Sequence, residues 1–261
     1  MKAFVVALLL AVTPAAYVSS HQQPDGGFAE PGGHSAPELT AWAVLGLVAA
    51  GQRPAAAAAY LESKPAADTS DIALRVVALA ALGANAGPFV SRLTPRADGR
   101  IGTLVDSTIW GVLALRAAGR EVPAESIRYL LRQQRSSGGW AWYPHGAPDS
   151  NDTAAAIEAL RAAGVKGKPI IRGLAYLATL RRKDGGFSLV PGRASDSQST
   201  AWAIQAFVAA GKNPPAAAFR FLARMRRPDG SYRYSAAYAV TPVWVTAQVL
   251  PALARKPYPL S

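Results

Sequence analysis

The stretch Arg128-Tyr-Leu-Leu-Arg-Gln-Gln134-Arg-Ser-Ser-Gly138-Gly-Trp140 decides the fold, together with the residues up to Gly164. Beyond Trp140 come Ala-Trp142-Tyr143, then Asp149-Ser-Asn-Asp152-Thr153, then an Ala/Leu-rich run ending at Gly164. A helix closes at Gln134, and Gly138-Gly139 lets the chain reverse because glycine accepts backbone angles closed to other residues. An aromatic lands just past the turn. A second helix then opens on an Asp/Thr cap, whose side chains can satisfy free backbone N–H groups. The unit is a helical hairpin with its own start and stop signals.

Working outward, the same grammar recurs. Asp25-Gly26-Gly27-Phe28, Asp98-Gly99-Arg100-Ile101, Asp184-Gly185-Gly186-Phe187 and Asp229-Gly230-Ser231-Tyr232 repeat the turn. The helices behind the turns align as well: Thr40-Ala-Trp42 to Gly51, Thr108-Ile-Trp110 to Gly119, Thr153-Ala-Ala155 to Gly164, and Thr200-Ala-Trp202 to Gly211. Asp71-Ile-Ala73 to Gly83 fits without a Trp, and Pro242-Val-Trp244 to Leu253 fits without the final Gly. Self-similarity at this period marks a repeat architecture, in which no hairpin buries its apolar face alone. One helix series is expected to begin near Pro37, Thr69, Asp106, Asp152, Ser199 and Pro242. The other is expected over 17–23, 54–63, 88–93, 123–134, 169–182 and 214–225, five of its members opening on Pro, a common first helical residue.

These residues resemble the repeat of the terpenoid cyclase and protein prenyltransferase superfamily, the squalene–hopene cyclase type above all. The carrying match is Tyr129-Leu130 with Gln134, Gly138 and Trp140. Tyr17-Val18 with Gln22 and Gly26-Gly27-Phe28 is a good second. Tyr176-Leu177 and Phe221-Leu222 keep the frame but have Arg181 and Arg226 in place of the Gln, so those turns must be held differently. The resemblance implies an all-α toroid of about six helical hairpins, with an inner and an outer ring, over residues 17–261.

The chain has 261 residues, half of them apolar, enough for a sizeable core in one repeat-built unit. No interior segment has the ~20 unbroken apolar residues of a membrane span. At the N-terminus, Lys2, the apolar run from Ala3 to Val12 and Thr13-Pro-Ala15-Ala16 read as an export signal over residues 1–16, placing the protein in the envelope or outside the cell. The alternatives are the start of the first outer helix and a cytoplasmic location. Net charge is +12, concentrated in arginines such as Arg116, Arg128, Arg132, Arg181, Arg220 and Arg224. That pattern reads as a solvated outer face, with attraction to an anionic membrane or wall surface as the sharper reading. Nucleic acid is not expected, because no nucleic-acid module accompanies the charge.

Cyclases of the squalene–hopene type protonate an alkene with an Asp-x-Asp-Asp motif at the head of an inner helix, and the resemblance places Asp149-Ser150-Asn151-Asp152 there. Asn151 stands where the donor acid would be, and an amide cannot supply that proton. Asp152 is then expected to be a charged helix N-cap and Asp149 a turn residue, both at a pocket mouth. The prenyltransferase branch needs a zinc site with a Cys ligand. The chain has no Cys, and His21, His34 and His145 are scattered, so neither a metal nor another cofactor is expected. Aligning the inner helices sets Trp42, Trp110, Trp202 and Trp244 at one level, with Glu158 and Gln205 about a turn away. Two readings are open: an apolar ligand cavity with few polar groups, or tryptophans that simply fill the core. Gln134, Gly138 and Trp140 read as structural.

The expectation from these residues is a non-catalytic exported toroid that binds an apolar, isoprenoid- or lipid-like small molecule or serves as an interaction scaffold. The alternative is a terpene or squalene cyclase-like enzyme whose acid has been altered, with Asp149 and Asp152 as the candidate catalytic groups.

Overall fold

Every turn in the chain hands over to a helix buried on all sides, and the alternation of such helices with half-exposed ones builds two concentric rings. A computed structural model describes residues 12–66 and 68–260. In chain order the helices are α1 (Pro14–Ser19), α2 (Pro37–Ala49), α3 (Ala56–Ser63), α4 (Thr69–Leu82), α5 (Gly87–Val90), α6 (Val105–Ala117), α7 (Ala124–Gln133), α8 (Ser150–Ala162), α9 (Lys168–Thr179), α10 (Ser197–Ala209), α11 (Ala216–Met225) and α12 (Pro242–Ala254). Even-numbered helices form the inner ring. Each packs on the next, and α12 packs back on α2, which closes the circle. In α6 every residue from Val105 to Leu115 is buried. The outer helix α7 buries only Ser126, Tyr129 and Leu130, as an amphipathic surface helix does.

The hairpins are locked by one recurring hydrogen bond. The backbone N–H of the residue just past each turn donates to a threonine hydroxyl in the next inner helix: Phe28 to Thr40 at 2.8 Å, Ile101 to Thr108 at 3.1 Å, and Trp140 to Thr153, Phe187 to Thr200 and Tyr232 to Thr246 at 2.9 Å each. A buried N–H has to find a partner, and threonine supplies it at the repeat's fixed spacing. Gly138 adopts a φ of 99°, and a Cβ there would overlap the carbonyl of Arg172 on the next outer helix. Gln134 donates to the carbonyls of Gly138 (2.8 Å) and Pro169 (2.9 Å), tying one hairpin to the next. In the last turn Arg226 replaces the Gln and donates to the carbonyl of Val12 at 2.8 Å, so the substitution keeps the tie with a longer donor. Glu30 completes the closure by accepting the N–H groups of Val243 (2.9 Å) and Trp244 (2.8 Å) at the head of α12. A carboxylate suits the positive end of a helix.

Several expectations shift. The first outer helix runs over Pro14–Ser19 rather than 17–23, because Pro14 takes the first helical position, where its missing N–H costs nothing, and the Thr13 hydroxyl accepts the N–H of Ala16. Lys2 and the apolar run of the export signal, all but its last residue Val12, lie outside the described residues. A two-residue antiparallel ribbon, β1 (Phe187–Ser188) with β2 (Ser195–Asp196), sits within the long loop before α10. Several outer arginines are also more than a solvated face. Arg132, Arg172 and Arg224 donate to the turn carbonyls of Asp98, Arg135 and Asp184 on the preceding hairpin.

Candidate functional site

All six inner helices start at the same end of the ring, and there the axis opens into a cavity of about 920 Å³. Trp42, Trp110, Trp202 and Trp244 line it. Three of them meet at its base: the ring centroids of Trp42 and Trp110 lie 5.3 Å apart, and each lies 6.0 Å from that of Trp202, all close to edge-to-face. That geometry is favourable for aromatic quadrupoles and turns ring faces as well as edges toward the axis. The tryptophans therefore pack on one another and also floor a cavity. Trp142, half-exposed, stands along its wall.

One wall is acidic. Asp149 and Asp152 come from the head of α8 and Asp106 from the head of α6. α8 begins at Ser150, ahead of the expected start near Asp152, so Asp149 is the N-cap. Its Oδ1 accepts the N–H groups of Asn151 (2.8 Å) and Asp152 (2.9 Å). Asp152 is accordingly not a cap at a solvent-facing helix end. It lies inside the first turn and is 4% exposed. Burial pushes its carboxyl well above the usual range, and the negative charges of Asp149 and Asp106, with a hydrogen bond to Asp149, push the same way. The expectation that Asp152 is a charged cap at a pocket mouth does not fit this placement. Burial outweighs the helix end, and the neighbouring carboxylates add to it.

Asp106 is the group that sequence reasoning misses as a site residue. Its position marks only a helix start, and its partner Ser70 lies on another repeat, so no linear motif joins them. The Ser70 hydroxyl donates to Asp106 Oδ2 at 2.7 Å. Burial raises the Asp106 carboxyl to about 6, the charges of Asp149 and Asp68 assist, and the Ser70 and Trp110 hydrogen bonds only partly offset this. The backbone N–H of Asp106 donates to the carbonyl of Trp142 (3.1 Å), and that of Asp149 donates to Trp140 (3.1 Å). The aromatic loop between Trp140 and Asp149 thus holds both acidic helix heads.

Glu158 and Gln205 do not face this cavity. Both are fully buried beneath the tryptophan floor, because a turn of helix below the cavity the ring axis is already occupied. The Oε2 of Glu158 accepts the backbone N–H of Tyr258 at 2.6 Å. Gln134, Gly138 and Trp140 lie in the hairpin turn, where Trp140 is wholly buried and its ring N–H donates to the carbonyl of Leu130 at 2.7 Å. Among the described residues no cluster of His, Cys, Asp and Glu is arranged to hold a metal ion.

No family model matches the sequence, and no curated protein matches it. Solved structures do. The type II terpene cyclase MstE from Scytonema, in complex with the substrate geranylgeranyl dihydroxybenzoate, superposes with a TM-score of 0.70 at 17% identity, covering 93% of this chain and 95% of that one. An ent-copalyl diphosphate synthase from Streptomyces platensis gives 0.60 at 24% identity, covering 84% of this chain and 50% of that one. A glycosidase in complex with glucose gives 0.63 at 12% identity, covering 94% and 96%. The chain has the fold of the terpenoid cyclases, an all-α double ring. At these identities the likeness is one of fold, and the glycosidase shows that the fold hosts more than one chemistry.

The expectation of a non-catalytic scaffold is corrected at this point. Chains that share the fold include a cyclase in complex with its substrate and with its product merosterolic acid A.

Proposed function

We propose that this chain is a cyclase-type enzyme that takes an apolar, isoprenoid-like substrate and starts its reaction by proton transfer from Asp152. The observation that carries the reading is the buried carboxyl of Asp152 on the wall of a tryptophan-lined cavity, where burial, and then Asp149 and Asp106, favour its protonated form. Nothing in a purely structural ring requires Asp106 and Asp152 to be buried on the wall of one cavity, since each costs free energy to bury.

The steps assigned to the residues are those this geometry supports. Asp149 is fixed by two backbone N–H groups and holds the Asp152 carboxyl through the hydrogen bond between them. Asp106 adds negative charge and raises the acid further. The Asp152 proton adds to one carbon of a substrate double bond, and the π pair forms the new C–H bond. Asp152 is left as a carboxylate and the adjacent carbon as a cation. Electron pairs of further double bonds close rings onto that cation, and loss of a proton from the last carbon ends the sequence, so the product is an isomer of the substrate. The faces of Trp42, Trp110 and Trp202 stabilise positive charge as it moves inward, each such contact contributing about 0.5–2 kcal/mol. The apolar walls keep water from trapping the cation.

The test is incubation of the purified protein with polyprenes of graded length, including squalene and geranylgeranyl compounds, and then mass spectrometry for cyclic products of unchanged mass. Product is expected from wild type. Asp152→Asn is expected to lower its formation by at least about 10²-fold, the usual worth of a positioned general acid. Undiminished product with Asp152→Asn would overturn the assignment, and so would a wild type inert towards every polyprene tested.

A further inference from the structure

Below the tryptophan floor, on the side away from the acids, the axis of the ring is filled by a segment that belongs to no helix. α12 ends at Ala254, the φ of 54° at its cap Arg255 turns the chain, and the next residues run back into the ring from the end opposite the cavity mouth. Tyr258 is 3% exposed. Its ring centroid lies 6.3 Å from Trp42, 6.0 Å from Trp110 and 5.6 Å from Trp202, so the four aromatics form a closed cluster in which Tyr258 backs all three indoles. Its backbone N–H is held by Glu158, a hundred residues away, and Glu158 is itself wholly buried. A carboxyl group placed there is costly, and its one hydrogen bond among the described residues is to this segment.

The geometry points to Tyr258 as the residue that sets the depth of the cavity, and hence the length of isoprenoid chain accepted, with Glu158 as the positioning residue that fixes Tyr258 in place. The inference rests on the cyclase reading for its substrate class and deepens it. Trp202 is also tied to α12, its ring N–H donating to Gln248 Oε1 at 3.0 Å, whereas the ring N–H of Trp42 has no partner among the described residues, and the side chain that underlies all three indoles on the axis is the ring of Tyr258. Interiors transmit the loss of a large side chain as space, and an apolar space of that kind takes up hydrocarbon. The hydroxyl of Tyr258 has no hydrogen-bond partner among the described residues, so the ring, and not its polar tip, is the functional part.

The experiment titrates the purified protein with geraniol, farnesol, geranylgeraniol and squalene, reading quenching of tryptophan fluorescence, with melting curves taken alongside. Tyr258→Ala is expected to shift the ratio of affinities toward chains at least one isoprene unit longer, by about tenfold or more, the scale on which apolar pockets discriminate single alkyl groups. Tyr258→Leu gives a smaller shift in the same direction and serves if the alanine variant fails to fold. Tyr258→Phe keeps the wild-type ranking. Glu158→Leu reproduces the shift, whereas Glu158→Gln, which retains an acceptor oxygen, restores the wild-type ranking. A folded Tyr258→Ala or Tyr258→Leu protein with an unchanged length ranking would overturn the proposal. The two readings separate cleanly. A shifted ranking without any cyclic product removes the cyclase and leaves Tyr258 as the depth gauge, while cyclic product with an unshifted ranking does the reverse. Absence of binding to every chain would remove both.

Discussion

At the scale of single residues, the acidic wall turns on neighbours that are distant in sequence. Asp152 is visible in the sequence as a carboxylate in a motif-like position, but the upward push on its carboxyl is not, because that comes first from burial, then from Asp149, and also from Asp106, forty-six positions upstream on another helix. This dependence has a sign that can be measured. Asp106 carries a folded-state value of about 6, above the ordinary carboxylate value of 3.8. Its contribution to stability is therefore fully present below about pH 4 and is lost as the pH rises through 6. Replacing it with Asn is expected to leave stability near pH 4 unchanged and to raise it at pH 8, by up to about 3 kcal/mol for a shift of this size. Chemical denaturation at the two pH values checks this. The same substitution removes a negative charge that favours protonated Asp152, so the alkaline limb of the pH–rate profile should move to lower pH, and a limb that stayed in place or moved up would contradict the coupling.

At the scale of elements, the hairpins are legible because their punctuation is local. Gly turns, prolines at helix starts and apolar helices of fixed length repeat in the sequence itself, and the observed inner helices begin within about two residues of the expected positions. The start of α8 shows the limit of such reading. Asp149, Asp152 and Thr153 are all plausible caps by residue type, and only the hydrogen bonds from the Asn151 and Asp152 N–H groups to Asp149, with that from Trp140 to Thr153, fix which of them lies inside the helix. Threonine has the chemistry of a starter there, whereas its hydroxyl in fact locks the turn. Trp140 ties that turn to the outer helix as well, through the Leu130 carbonyl. Trp140→Ala is expected to lower stability by about 3–5 kcal/mol, read as a lowered melting temperature. Gln134 and Gly138 would be needed for the same element, and a variant with an unchanged melting temperature would refute the role of the lock.

At the scale of the whole molecule, the ring is legible as a repeat, but its closure is not, since Glu30 and the head of α12 carry no shared motif. The two N–H groups held by Glu30 lie 213 and 214 residues further along. Glu30→Ala is expected to free the first turn of α12 and to lower the midpoint of denaturation by the worth of a charged helix cap, on the order of 1–2 kcal/mol. A Glu30→Ala protein with wild-type amide exchange in α12 would show that closure rests elsewhere. Glu30 and α12 also bear on how the chain is made. An open stack of hairpins covers its two ends with capping repeats, but a ring with hairpins missing has two raw apolar flanks and nothing to cover them. As the polypeptide leaves the ribosome, the flank of α2 stays bare until the last hairpin emerges, and Glu158 stays buried without its partner until Tyr258 arrives. Contacts spanning most of the sequence must form last, and their closure is entropically slow. Synthesis of this protein therefore leaves a sticky intermediate in being for nearly the whole of translation, and a holding chaperone, not a faster ribosome, is what would raise its yield.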